Sequence, residues 1–162
     1  MKKTLIFCIS SLMVIAFLSS CDQKQQVKSD AGGVGGDYLV DSINNQVKSF
    51  SIDGFPGGSS NLKNNEDLDN MKSIVSVVKP VIEKIPDGYA MQITGHCADY
   101  DSAADRQRVS TARAKKDYDE LKAAGAAESK MTYKGVGSDQ PSDSYSPKDP
   151  KQRRVSFKAV KK

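Results

Sequence analysis

The chain has a single histidine, three cysteines and no tryptophan among its 162 residues. With one histidine, a zinc site needs cysteine or carboxylate side chains for its other ligands, and a catalytic pair has His96 as its one imidazole base. Aromatic and basic residues do not interleave in a stacking pattern, which disfavours nucleic acid as a partner. The composition therefore favours a binding or structural protein without a cofactor or a bound metal.

The sequence also lacks an apolar run long enough to span a membrane comfortably. Its longest run, residues 5–18, is shorter than the roughly 20 residues that a spanning helix needs. Lys2 and Lys3 precede the run and small residues follow it, a layout typical of a secretory signal peptide. We predict a signal peptide over residues 1–20. An uncleaved N-terminal anchor is the alternative, and in both cases the rest of the chain lies outside the cytoplasm.

Leu18-Ser19-Ser20-Cys21 resembles a lipobox, in which the cysteine carries lipid. Cys8 then leaves with the signal peptide and Cys21 is lipidated, so Cys97 has no intramolecular disulfide partner. The fold must therefore depend on its hydrophobic core.

The charge balance is mildly basic. The formal charge of +4 falls to +2 once Lys2 and Lys3 are removed. Several cations collect near the C-terminus, between Lys148 and Lys162. This pattern is typical of a solvated strand end, and contact with an anionic polymer or membrane surface is the alternative.

The chain after residue 20 predicts one domain on a tether. Residues 21–37 hold the lipidated cysteine and a polar, glycine-rich stretch, which predicts a flexible linker. We place the domain at residues 38–162. Two short apolar patches within residues 38–52 suggest strands at its start.

Two periodic segments follow. From Leu68, apolar residues recur at helical spacing as far as Ile85, although Pro80 inside this pattern predicts a kink or a shorter helix. Tyr89 to Gly95 alternates as a strand does, with Met91 and Ile93 on one side.

The second half continues the alternation of strands and helices. Ser102 with Asp105 forms a capping-box signature. The helix that it starts should run to Gly125. Met131 to Gly135 and Arg154 to Val160 are predicted strands. The fold class is α/β, an α+β sandwich with helices against a mixed sheet. The residues predicted to be buried on the helix are Val109, Ala112, Tyr118 and Leu121.

His96 and Cys97 follow the strand and should point to opposite faces, so they do not form a nucleophile and base pair. Cys97 is in phase with the apolar side and predicts a buried thiol. His96 is in phase with the polar side, where a hydrogen-bonded structural role is the ordinary interpretation. A metal site would need help from Asp99, Asp101 or Asp105. A metal- or thiol-dependent enzyme built on His96 and Cys97 remains the remote alternative.

Three polar residues share one face of the second helix. Arg106, Ser110 and Arg113 are spaced four and three residues apart. An arginine fixed there is suited to holding a carboxylate in a two-pronged salt bridge. A solvated basic face is the alternative.

The order of several short motifs resembles the OmpA-like C-terminal domain, the peptidoglycan-binding module of bacterial envelope proteins. The family shows G-H-T-D, N-x-x-L-S-x-x-R-A, G-x-G with a nearby proline, and N-R-R-V. Here the corresponding residues are Thr94-Gly95-His96, Ser110-Thr-Ala-Arg113-Ala114, Gly135-Val-Gly137 with Pro141, and Arg153-Arg154-Val155. With the lipobox, the chain is similar to the peptidoglycan-associated lipoproteins. The resemblance covers residues 47–160 and implies a β-α-β-α-β-β fold.

The resemblance also implies a ligand site. In the family, an aspartate binds the ammonium of diaminopimelate in the stem peptide of peptidoglycan, and the arginine of the R-A motif binds its carboxylate. The arginine carries over to Arg113 and the motif serine to Ser110. The aspartate's place is held by Ala98, and Asp99 could substitute only if the chain bulges or leaves the strand. Cys97, Arg106, Val109 and Gln152 are further departures from the motifs.

We therefore predict a protein that is anchored by lipid in the cell envelope, in the outer membrane with the domain facing the periplasm. Its partner would be the peptidoglycan stem peptide, bound without catalysis at Arg113, with Asp99, His96, Ser110 and Arg106 around it. Loss of the aspartate weakens binding or changes the preferred stem peptide. The alternative is a structural protein that has lost wall binding and docks to another envelope protein. Arg113→Ala should abolish wall binding with little effect on the melting temperature.

Overall fold

The computed structural model describes residues 34–100 and 102–162. The elements are α1 (Val34–Val47), β1 (Ser51–Ile52), α2 (Asn65–Glu83), β2 (Tyr89–Gly95), α3 (Ala103–Ala123), β3 (Met131–Gly135) and β4 (Val155–Lys161), with 3-10 turns at Glu128–Lys130 and Pro150–Gln152. The predicted signal peptide, lipidated Cys21 and most of the linker lie outside this range. No helix within it is both long and apolar enough to cross a membrane.

The four strands form one mixed sheet in the order β1-β4-β2-β3. β2 and β3 are parallel and are joined through α3, whereas β4 runs antiparallel to both β1 and β2. A parallel pair needs such a crossover because a tight turn reverses the chain direction and so joins only antiparallel strands. The predicted α/β fold is confirmed, with three helices packed against a mixed sheet. β2 and β3 have the predicted bounds, and β4 begins one residue later than predicted.

The core lies on one face of the sheet. Alternate residues of the central strands point into it, including Met91 and Ile93 of β2 and Phe157 of β4. All three helices bury apolar side chains in the same cluster, which also includes Met71, Val78 and Ile82 of α2 and Leu121 of α3. Burial of each large apolar side chain contributes about 1.5–3 kcal/mol. A single continuous core therefore supports the fold without a disulfide among the described residues.

The predicted strands within residues 38–52 are mostly wrong, because residues as far as Val47 form α1. Its buried residues, Val40, Ile43 and Val47, follow helical spacing. The helix begins at Val34, so the last four residues of the predicted linker belong to it. Only Ser51 and Ile52 form a strand.

α1 also completes the edge of the sheet. β1 pairs with only two residues of β4, Ser156 and Val155. Farther along β4, the Asn44 side chain donates to the Ala159 carbonyl at 3.1 Å and accepts from its backbone N–H at 2.7 Å. The amide thereby satisfies strand groups that would otherwise remain unpaired.

α2 confirms the first predicted helix but not its limits. It begins at Asn65, where the Asn64 side chain accepts a hydrogen bond from the Asp67 backbone N–H, and it ends two residues before Ile85. Pro80 lies within the last turn, so the helix continues past it for only three residues. A proline this close to the end removes one helical hydrogen bond and leaves the preceding turns intact.

α3 begins as predicted, since the Ser102 side chain accepts a hydrogen bond from the Asp105 backbone N–H. The helix ends at Ala123, and Gly125 follows with a φ of 90°, the left-handed conformation that glycine favours after a helix. Val109 and Leu121 are buried as predicted, whereas Ala112 is exposed. The helix face that packs against the sheet carries Arg113 and Ala114 instead, so the prediction for Ala112 is wrong.

Two paired glycines allow α3 to approach the sheet closely. Gly95 of β2 lies opposite Gly135 of β3. A Cβ atom on Gly95 would overlap the Ser110 carbonyl, and one on Gly135 would overlap Ser110 and Thr111. This close packing brings the Ser110 to Arg113 turn of α3 next to the end of β2, where the candidate site lies.

Candidate functional site

A cavity of about 290 Å³ opens where β2 ends. Its walls come from the loop after β1, from the chain between β2 and α3, from one face of α3, and from Arg153, which lies just before β4. The lining residues are Gly57, Gly58, Cys97, Ala98, Tyr100, Val109, Arg113 and Arg153. Ala98 and Arg113, which hold the two ligand-binding positions of the motifs, therefore lie in the same cavity.

Arg113 is buried and bonded to protein on nearly every side. Its Nε donates to the Ser59 carbonyl and its Nη2 to the Pro56 carbonyl, both at 2.9 Å. Its Nη1 donates to the His96 carbonyl at 2.8 Å and to the Cys97 Sγ at 3.2 Å. A guanidinium has five N–H groups, so within the described part of the chain one is left for a ligand. A two-pronged salt bridge needs two.

The guanidinium of Arg113 also lies 5.2 Å from the centre of the Phe55 ring, within the range of a cation–π contact. Burial lowers the pKa of Arg113, while contact with Cys97 raises it and nearby Arg153 lowers it. The group nevertheless stays charged at neutral pH, because arginine titrates far above it. Arg113 thus is not part of a solvated basic face; it ties the loop after β1 to the end of β2.

Ser110 has a positioning role. Its hydroxyl donates to the Gln107 carbonyl at 3.0 Å and accepts from the Gly137 backbone N–H at 2.9 Å. The side chain is fully buried and does not line the cavity. Ser110 therefore fixes the Gly135 to Gly137 turn against α3.

Asp99 and Arg106 lie close to each other beside the cavity. Arg106 Nη1 is 3.0 Å from Asp99 Oδ1. The chain does leave the strand after Gly95, which is the condition under which Asp99 could take the place of the motif aspartate. Its carboxylate pairs with Arg106, however, and the residue is not among those that line the cavity.

The His96 ring lies away from the cavity. Its Nδ1 is 3.1 Å from the Gln140 carbonyl, which can only accept, so Nδ1 donates and Nε2 accepts from the Ser156 hydroxyl at 2.9 Å. Burial, helped by the charge of Arg154, lowers the pKa of His96 to about 4, although the hydrogen bond to Gln140 opposes this shift. His96 is therefore neutral at pH 7 and contributes only its carbonyl, through Arg113, to the site.

Cys97 is buried, as its phase with Met91 and Ile93 predicts. Its thiol donates to the Arg106 carbonyl at 3.3 Å, on the α3 side, whereas the His96 ring bonds to Gln140 and Ser156. Among the described residues, no three His, Cys, Asp or Glu side chains converge to hold a metal ion.

The sequence does not predict the roles of two residues at its last motif, Arg153 and Gln152. Arg153 lines the cavity and donates from Nε to the Phe55 carbonyl at 2.6 Å. Gln152 is buried, and its amide bonds to the backbone of Ser142, Tyr145 and Ser146. The position of Arg153 in the motif was the signal that could have identified it.

Asp117 is a buried acid on α3 without a hydrogen-bond partner. Both of its carboxylate oxygens are buried and unpaired in the described structure. Burial, with a smaller contribution from the charge of Glu120, raises the pKa of Asp117 to about 8 against the lowering effect of Lys116. At neutral pH the group is therefore largely protonated, which avoids an isolated buried charge.

The buried position of Arg113 changes the expectation for its substitution. Arg113→Ala leaves the carbonyls of Pro56, Ser59 and His96 without their donor, so we expect the free energy of unfolding to fall by about 3 kcal/mol or more. Arg108→Ala, an exposed position on the same helix, is the matched control and should change it by less than about 0.5 kcal/mol. Chemical denaturation measures both, and equal effects would contradict the structural role.

Because Asp117 is buried with a raised pKa, we expect the free energy of unfolding to fall as pH rises. Its folded pKa lies above the unfolded value of 3.8, so the folded state keeps a proton that the unfolded state has released. Between about pH 4 and 8, the stability of the native protein relative to Asp117→Asn should fall by about 1.4 kcal/mol per pH unit, and it should then level off. Asp119→Asn, which replaces an exposed carboxylate on the same helix, is the matched control. A pH-independent difference for Asp117→Asn would refute the assignment.

Comparison with known proteins gives a family and a set of related folds. The model of the OmpA family matches residues 54–154. No curated protein matches the chain. Among solved structures, the OmpA-like domain of FopA1 from Francisella tularensis is 20% identical, with a TM-score of 0.53 over 68% of this chain and 69% of that chain.

Two further structures have the same fold. The C-terminal domain of Helicobacter pylori MotB is 15% identical, with a TM-score of 0.55 over 70% of this chain and 86% of that chain. An outer membrane protein from Borrelia burgdorferi B31 is 18% identical, with a TM-score of 0.50 over 67% of this chain and 83% of that chain. Since the family model covers more than half of the sequence, the chain belongs to the OmpA family.

Proposed function

We propose that the protein binds peptidoglycan noncovalently and tethers a membrane of the cell envelope to the wall. OmpA-like domains are peptidoglycan-associated binding modules rather than enzymes, and the chain is a member of this family. The cavity at the end of β2 is the proposed binding site. The observation that carries this assignment is the presence of Ala98 and Arg113 in one cavity, at the positions where the family motifs place the two ends of the ligand.

The cavity suits an anionic group. Arg113 and Arg153 line it, and no carboxylate is among the lining residues that the structure describes. A carboxylate of the stem peptide would enter a positive site partly shielded from water, where a charged hydrogen bond is stronger than at the surface. Ala98 offers nothing to an ammonium group, so the usual diaminopimelate contact is reduced to its carboxylate half.

The membrane anchor is a separate part of the proposal. Lipid on Cys21, after removal of residues 1–20, would hold the domain in the periplasm on a linker, with the lipid in the outer membrane. The support is the sequence pattern alone, because these residues lie outside the described range.

A second candidate function is docking to another envelope protein. The replacement of the motif aspartate by Ala98 favours it, because one of the two charged ligand contacts is absent. The same cavity and fold would then serve a different partner.

Cosedimentation of the full chain, purified in detergent, with insoluble peptidoglycan that contains diaminopimelate tests the proposal. We expect the native protein to pellet with the wall. Ala98→Asp should bind about tenfold more tightly, because a hydrogen bond to a charged group, here the ammonium, contributes about 1.5 kcal/mol.

Ala104→Asp is the matched control, since it adds the same charge at an exposed site near the start of α3. It should leave wall binding unchanged. If the native protein stays in the supernatant, the tether is excluded and the docking alternative is favoured.

A further inference from the structure

The cavity contains two arginines with different freedom to bind a ligand. Arg113 has four of its five N–H groups bonded to protein, on the carbonyls of Pro56, Ser59 and His96 and on the thiol of Cys97. Its side chain has no exposed surface. It contributes a positive charge to the cavity, but it cannot offer the paired donors that match both oxygens of a carboxylate.

Arg153 has the complementary properties. It is half-buried, it lines the cavity, and its one hydrogen bond to the described residues runs from Nε to the Phe55 carbonyl. This bond leaves the Nη1 and Nη2 groups, with four N–H donors, for a ligand. Anchoring at Nε also restrains the guanidinium plane, which lowers the entropy lost on binding.

The charges around the cavity indicate which charged groups a ligand can carry. Both arginines are positive, and the nearest carboxylate along the chain, Asp99, already pairs with Arg106. Ala98 lies where the family motif has its aspartate. A ligand that carries an ammonium beside its carboxylate would bring a positive charge next to two others, with no carboxylate partner among the described residues that line the cavity. Like charges in a partly buried site repel strongly.

We propose that Arg153 is the residue that holds the ligand's carboxylate, and that the cavity selects a diamino acid whose distal amine is acylated over one whose distal amine is free. Acylation removes the positive charge and leaves the carboxylate. In a peptidoglycan stem peptide, the distal amine is acylated where it forms a cross-link to a neighbouring stem. The chain therefore recognises cross-linked wall. This inference rests on the proposed function and narrows its ligand.

Two soluble probes separate the alternatives. Both are stem tripeptides that end in diaminopimelate, one with a free distal amine and one with that amine acetylated. Isothermal titration of the full chain in detergent measures their affinities. We expect the acetylated peptide to bind at least fivefold more tightly at low ionic strength, with the difference shrinking as salt rises.

Substitutions at Arg153 test the residue assignment. Arg153→Gln should weaken binding of the acetylated peptide more than tenfold, and Arg153→Lys should restore part of it because the charge returns without the paired donors. Lys151→Gln is the matched control. It removes one positive charge two residues away, from a side chain that does not line this cavity. It should leave the affinity within twofold of the native value.

Each outcome has a separate meaning. Equal or tighter binding of the free-amine peptide overturns the selectivity, and unchanged binding by Arg153→Gln overturns the role of Arg153. Binding to whole peptidoglycan without binding of either peptide overturns this inference and leaves the proposed function standing. Failure to bind whole peptidoglycan overturns the proposed function itself.

Discussion

The buried guanidinium of Arg113 is the interaction on which the site depends. It joins the carbonyls of the loop after β1 to the carbonyl of His96 at the end of β2, two segments that the sheet does not otherwise pair. These contacts fix two of the walls of the cavity. They require α3 to lie very close to the sheet, which Gly95 and Gly135 permit. The glycine and arginine motifs thus serve one geometric purpose.

In this arrangement, the residues that hold the loops in place are different from the residue best able to contact a ligand. Ser110 holds the turn at Gly137, and Gln152 holds the loop at residues 142–146. The His96 ring is neutral and bonded on the far side of the sheet. Among the described residues, the side chains that line the cavity and carry charge are Arg113 and Arg153, and of these Arg153 has more unused donors. A structural motif residue and a recognition residue can therefore be told apart by their hydrogen bonds.

Much of the fold could be predicted from the sequence because periodicity reports apolar burial. α2, β2, β3 and the capped start of α3 followed from spacing and capping residues. α1 did not, although its three buried residues follow helical spacing, because the glycine-rich stretch indicated a linker and the two short apolar patches after it indicated strands. On α3, the apolar character of Ala112 predicts burial, but the residue lies on the exposed side of the helix.

Less of the candidate site could be predicted from the sequence. Arg113 and Asp117 are buried although both are charged residue types, and no apolar pattern reveals that. Ala98 and Arg113, which stand at the two ligand positions of the motifs, line one cavity. The motifs could not show how many donors of Arg113 the protein itself uses, since its acceptors are backbone carbonyls of a distant loop. The pairing of Asp99 with Arg106 also depends on the path of the chain after β2.

The division of roles between the two arginines can be measured by following their side-chain Nε–H signals by NMR, with and without the acetylated stem peptide. If Arg113 supports the loop and Arg153 meets the ligand, the Arg113 signal exchanges slowly with solvent in both states and stays in place. The Arg153 signal shifts on addition of the peptide. A rapidly exchanging Arg113 signal that moves with ligand, beside an unmoved Arg153 signal, would contradict the account.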